Sequence, residues 1–169
     1  YKPLLDEALR ISQHQPIAVI LADRGLATMR MQAGRDHLWS DLRALHMDAH
    51  VSCEPLSSTD PSYILYTSGT TGKPKGIVRD TGGYVTVLKN SMKQIYDINP
   101  GEVFWSASAV GWVVGHSYIV YAPLLNRTTT ILFEGKPIRT PDASTFWRVI
   151  EEHKVNVMFT APTALRAIK

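Results

Sequence analysis

The chain has a single cysteine, Cys53, so it can neither close a disulfide on itself nor build a cysteine metal cluster, and it is compatible with a reducing compartment. No apolar run approaches the ~20 residues that a bilayer-spanning helix needs. Net charge is only +3. The one tight basic group, Lys73, Lys75 and Arg79, lies beside glycines and not along a stripe, which argues against a nucleic-acid partner. Repeats and low-complexity tracts are missing, and Tyr1-Lys2-Pro3 opens neither a signal nor a transit peptide. What is present is ordinary for a globular protein. With 44% hydrophobic and 20% charged residues there is ample apolar surface to offset ordering entropy, so whole-chain disorder is excluded. A length of 169 residues suits a single domain burying roughly 70% of its unfolded surface. Neither terminus has the character of a natural end, and the chain is expected to be an internal segment of something longer.

Apolar residues at Leu4, Leu5, Ala8, Leu9 and Ile11 predict a helix to Ser12; Ile17 to Ala22 predicts a buried strand, 24–36 a loop, and Trp39 to Leu45 a short helix. Pro55 to Pro61, rich in Ser, Thr and Pro, predicts a surface linker. Residues 1–60 are therefore expected to form a helix-strand-helix segment with a linker, and 61–169 a βα core. In that core, strands are predicted at 63–66, 103–106, 128–133 and 155–160. Helices are predicted at 82–96, 112–125 and 143–153, with another starting near Pro162. This alternation predicts an α/β fold with a mostly parallel sheet flanked by helices.

The most informative segment is Tyr66-Thr67-Ser68-Gly69-Thr70-Thr71-Gly72-Lys73-Pro74-Lys75-Gly76. It follows a predicted strand and is expected to lead into a helix, the place where open α/β sheets bind ligands. Its glycines allow close backbone approach, and successive N–H groups form an anion-binding concavity. Hydroxyls at Thr67, Ser68, Thr70 and Thr71 add donors, and Lys73 and Lys75 add positive charge. The combination suits a polyphosphate. It is not a Walker A loop, because Pro74 stands where that motif needs Ser or Thr to hold magnesium. The alternative is a polar surface turn with solvated lysines, but a turn needs only two or three special residues.

This loop resembles the signature of the acyl-adenylate-forming (AMP-binding) superfamily. Four further blocks resemble its short-chain acyl-CoA synthetase branch, closest to propionyl-CoA synthetases. They are Val78-Arg79-Asp80-Thr81-Gly82-Gly83-Tyr84, Val110-Gly111-Trp112-Val113-Val114-Gly115-His116-Ser117-Tyr118, Phe133-Glu134-Gly135-Lys136-Pro137 and Phe159-Thr160-Ala161-Pro162-Thr163-Ala164. The resemblance implies a fragment of the large N-terminal domain of such an enzyme. The enzyme would be an AMP-forming acid–thiol ligase using ATP, Mg2+ and CoA in the cytoplasm or, in a eukaryote, the mitochondrial matrix. Its partners would be small molecules, with no nucleic acid and no membrane.

The same resemblance implies that Thr67, Ser68, Gly69, Thr70, Thr71, Gly72, Lys73 and Lys75 hold the β- and γ-phosphates. It also implies that Val113 and Val114 line the end of the acyl pocket, with Trp112 packed behind them. Acetyl-CoA synthetases carry Thr at the position of Val114. An extra methyl there favours propionate over acetate by about 1 kcal/mol. His116, in an apolar helix without an identifiable partner, is read as structural. Relatives ordinarily have Asp where this chain has Ala109, and an Asp there is expected to cap the following helix. No catalytic residue and no metal ligand is expected within the chain, and the isolated chain is expected to be inactive. The alternative is a non-catalytic nucleotide-binding module.

Overall fold

The computed structural model describes residues 1–68, 72–138 and 140–168. Contacts gather into two compact units, Tyr1–Glu54 and Pro55–Lys169, with the boundary at the start of the Ser/Thr/Pro-rich stretch.

In the first unit, α1 (Lys2–Ile11) is followed by β1 (Val19–Leu21), β2 (Asp36–Leu38) and α2 (Trp39–Leu45). β1 and β2 pair in parallel, Val19 opposite Asp36 and Leu21 opposite Leu38. The predicted loop thus ends in a strand at Asp36, too short to show any period. The apolar face of α1 is only partly buried, with Leu5 and Leu9 half-buried and Leu4, Ala8 and Ile11 exposed. The helix is held by ions. Lys2 Nζ lies 2.7 Å from Asp6 and 2.8 Å from Asp36, while Arg35 reaches Asp6 at 2.5 Å and Asp36 at 2.6 Å. The Asp36 side chain is fully buried between the two cations. Desolvation of these charges is tolerable only because they neutralise one another.

The second unit opens with an antiparallel hairpin, β3 (Pro61–Thr67) and β4 (Lys75–Asp80), followed by α3 (Thr81–Gln94). The expected direct passage from glycine-rich loop to helix is therefore corrected, because a strand intervenes. The charges and Gly76 in Lys75–Asp80 mask its strand character, which comes from pairing with β3. α3 starts where the Asp80 carboxylate accepts the N–H of Gly83 at 3.2 Å, an N-cap worth ~1 kcal/mol. It buries Tyr84, Leu88, Ser91 and Met92, but Val87, at the edge of that face, and Ile95, beyond the last turn, stay exposed.

β5 (Val103–Ala107) lies between β6 (Thr129–Thr130) and β7 (Val157–Thr160), all parallel. The period of two sends its bulkiest side chains to opposite faces. Phe104 joins Tyr84, Leu88, Met92, Ile98 and Ala122 on one face, and Trp105 joins Phe146, Ala164 and Ile168 on the other. Helices cover both faces. α4 runs over 113–125 as Val113–Gly115, a π-helical His116–Tyr121 and Ala122–Leu125; α5 is Thr145–Glu152 and α6 is Pro162–Ala167. The parallel sheet flanked by helices is as the sequence predicts. β6 is shorter than the predicted 128–133: after Ile131 donates to Phe104 O at 3.3 Å, the chain leaves the sheet. Phe133 then packs edge-on against Trp105 and Phe146.

Candidate functional site

The glycine-rich segment is the tip of the β3–β4 hairpin. The ladder closes with Thr67 opposite Lys75, and Ser68 and residues 72–74 are the described residues beyond it. Gly69, Thr70 and Thr71, three of the predicted phosphate-binding residues, lie outside the described residues. Gly72 sits at φ +79°, where any other L-residue is strained, and open space surrounds the position its Cβ would occupy. Backbone conformation, not crowding, therefore requires this glycine. Thr67 is half-buried, and Ser68, Lys73 and Lys75 are exposed. Neither lysine has an ion-pair partner among the described residues.

The donors on offer come from this hairpin tip and not from the start of α3. The Asp80 carboxylate already occupies that helix N-terminus, and its negative charge would repel a phosphate. Opposite the loop, Gly76 lies close under β3. An added Cβ there would meet Ile64 Cγ2 at 3.0 Å and the Tyr66 ring at 3.3 Å.

The second predicted group lies where α4 begins. Trp112 is the N-cap, extended at φ −85° and ψ 158°, and its side chain is 70% exposed. It is not packed behind Val113 and Val114 as the sequence suggested, because an extended N-cap residue leaves the helix face. Val113 and Val114 are half-buried in the first turn. The helix cap is Trp112, three residues beyond Ala109. Ala109 O accepts the Trp112 N–H at 3.1 Å, closing a turn. That turn folds back on Gly115, where a Cβ would sit 2.4 Å from Ala109 O.

The two groups are carried by different elements, and aromatic rings connect those elements. Tyr63 of β3 lies edge-on to Tyr84 of α3 at 5.4 Å, stacked on Tyr121 of α4 at 6.4 Å and tilted against His116 of α4 at 5.6 Å. Tyr84 Oη and Ser117 Oγ are hydrogen-bonded at 2.9 Å. Burial, opposed by the Ser117 hydrogen bond and reinforced by the nearby Tyr63 hydroxyl, pushes the Tyr84 phenol well above its usual range. Tyr63 Oη and His116 Nδ1 are both buried with no hydrogen-bond partner among the described residues. Below this cluster, Tyr118 Oη donates to Ser91 Oγ at 3.0 Å, and burial pushes the Tyr96 phenol up to about 12. None of the tyrosines was singled out from sequence for a role at the site. They come from three elements, and only the helical spacing of Tyr84 pointed inward.

Arg79, Asp80, Tyr84, Val87, Ser117 and Tyr118 face a cleft of about 420 Å³ between the start of α3 and α4. Among the described residues no group of three or more His, Cys, Asp or Glu side chains could hold a metal ion, and no helix is long and apolar enough to cross a membrane.

A family model described as AMP-binding enzyme matches residues 3–169. The chain is 54% identical over 170 residues to the mouse mitochondrial protein named acyl-CoA synthetase short-chain family member 3. It is 53% identical over 169 residues to the propionate–CoA ligases of Salmonella typhimurium and of Escherichia coli. All of this chain is covered in each case, but only 25% of the mouse protein and 27% of each bacterial one. The chain thus spans about a quarter of the length of these relatives.

Proposed function

Because the chain belongs to the AMP-binding enzyme family, we propose that it is the phosphate-loop portion of an ATP-dependent short-chain acyl-CoA synthetase, with propionate the favoured acid and acetate next. A carboxylate is a poor electrophile. In the proposed reaction its oxygen attacks the α-phosphorus of ATP, the bond to the β,γ-pyrophosphate breaks, and pyrophosphate leaves. The acyl-adenylate then carries a good leaving group. The CoA thiol gives up its proton, its sulfur attacks the acyl carbon, and AMP departs.

In that scheme the hairpin tip binds and orients. Thr67, Ser68, Gly69, Thr70, Thr71 and Gly72 present hydroxyls and amides to the β- and γ-phosphates, and Lys73 and Lys75 offset the charge that develops on the leaving pyrophosphate. Val113 and Val114 line the acyl end, and the exposed Trp112 is available to close over it. Mg2+ would supply further charge neutralisation when bound with ATP. The described residues gather no ligand set for it, so no step is routed through it. No bond-making role is assigned to a side chain of this portion, and the activity is that of the whole protein, in cytoplasm or mitochondrial matrix.

The observation that carries this reading is the loop itself: a positive-φ glycine at a hairpin tip, with two exposed lysines that have no ion-pair partner among the described residues. Charged hydrogen bonds of this kind are worth ~1.5–3 kcal/mol, or about ten- to hundred-fold in binding. Lys75→Ala in the full-length protein is accordingly expected to raise the KM for ATP at least ten-fold in acid-dependent ATP–pyrophosphate exchange. The KM for the acid should stay within two-fold. Unchanged ATP kinetics would remove the loop from the triphosphate, and a full-length protein without exchange on any C2 to C5 acid would refute the function.

A further inference from the structure

Resting on the reading above, we infer that His116 is a positioning residue. Its Nδ1 and the Tyr63 hydroxyl form a polar joint that holds the acyl-pocket end of α4 in register with the strand leading to the phosphate loop.

Four observations converge on this joint. Tyr63 is on β3, the strand whose last residue, Thr67, enters the loop. His116 begins the π-helical part of α4, directly after the turn that carries Val113 and Val114. Such π-helical insertions are rare and are frequently found at functional sites. Finally, the two rings are in contact at 5.6 Å, and each carries a buried polar atom without a partner among the described residues.

Leaving two buried polar atoms unpaired is costly. If packing alone were needed, phenylalanine at both positions would serve without that cost, so the polar atoms call for a use. Tyr84 is hydrogen-bonded to Ser117 and also faces the Tyr63 hydroxyl, and Tyr121 presents its ring to Tyr63. For His116 Nδ1 the complement at hand is the Tyr63 hydroxyl, which donates to it in the proposed joint. The bond would form as the acid and ATP draw the two elements together, which links occupancy of the acyl pocket to the placement of the loop.

The test uses the full-length protein and acid-dependent ATP–pyrophosphate exchange, with melting temperature as the control for folding. His116→Asn keeps an acceptor near the position of Nδ1 but loses the ring; His116→Phe keeps a ring but loses the acceptor. A polar joint predicts that the Asn variant stays within about three-fold of wild type in kcat/KM for the acid. The Phe variant should lose at least ten-fold, mostly in KM. A Phe variant as active as the Asn variant, or more so, would mean that His116 merely packs, and the inference would fall. Tyr63→Phe, which removes a single hydroxyl, covers the case in which a His116 variant does not fold. It should show the same rise in KM, and an unchanged KM there refutes the joint. Absence of exchange in the wild-type protein would instead overturn the proposed function, so the two failures are distinguishable.

Discussion

Gly115→Ala in the full-length protein tests how the proposed acyl-pocket segment is held. The backbone at Gly115, φ −63° and ψ −51°, is ordinary helix that any residue adopts. Space is what demands glycine. An added Cβ would lie 2.4 Å from Ala109 O, 2.5 Å from Val110 Cα and 2.7 Å from the Val110 carbonyl carbon. All three are backbone atoms, so no flexible side chain can swing aside. Two effects then oppose each other. Alanine gains about 1 kcal/mol in helix propensity. Overpacking costs ~1–3 kcal/mol, and contacts this short, against backbone, belong at the upper end. The balance is a loss of about 1–2 kcal/mol, relieved in part by pushing the 109–112 turn away from α4. That turn sets Trp112 at the head of the helix through its N–H to Ala109 O. Thermal denaturation should therefore show a lower melting temperature, and steady-state kinetics a several-fold higher KM for the acid with the KM for ATP little changed. A variant that melts higher than wild type with an unchanged acid KM would show that propensity wins and that the close approach constrains nothing.

Two further substitutions probe the acid pocket and the ionic anchor of α1. Val114→Thr exchanges a methyl for a hydroxyl, and about 1 kcal/mol predicts a roughly five-fold fall in the propionate-to-acetate ratio of kcat/KM; an unchanged ratio removes Val114 from the pocket. Asp36 is held well below the usual carboxylate range by Arg35 first, against burial, with Lys2 and the Gln32 N–H adding to the effect. A depressed folded-state pKa means its stabilisation is complete above the ordinary value of ~3.9 and is lost as pH falls below it. Lys2, raised by Asp36 and Asp6, contributes stability that is complete below the ordinary lysine value and is lost as pH rises through its folded-state value. Amide exchange in α1, corrected for intrinsic rate, should therefore be slow and flat near neutrality and accelerate below about pH 4. Asp36→Asn should show the fast exchange already at neutral pH, and unchanged protection in that variant would contradict an ionic anchor.

What the sequence reveals depends on how far apart the interacting residues stand. The glycine-rich loop is legible because its glycines, hydroxyls and lysines are consecutive, and α3 is legible because a helix buries residues within one turn of each other. β4 was hidden because Ile77 and Val78 are adjacent and exposed, so no alternation marks a strand that exists by pairing with β3. α1 was recognised for a reason that accounts for only part of what holds it in place. Its apolar positions are only partly buried, and its ionic anchor, Arg35 and Asp36, is remote in the chain.

The same distinction governs the site. A motif in consecutive residues can name the groups proposed to touch phosphate, yet it carries no information on what keeps them in place relative to the acid. That task falls to contacts such as Tyr63 with Tyr84, Tyr121 and His116, drawn from three elements. A buried aromatic cluster made only for packing would favour rings without polar atoms, since each unpaired one costs free energy. His116 was read as structural because no partner could be found near it in sequence. The structure sets the Tyr63 ring 5.6 Å from it across 53 positions of chain, on the strand that ends at the loop, and the bond between them is the one proposed above. Substitutions at this joint should therefore alter acid and nucleotide kinetics together, whereas those within the loop or the pocket should alter one alone.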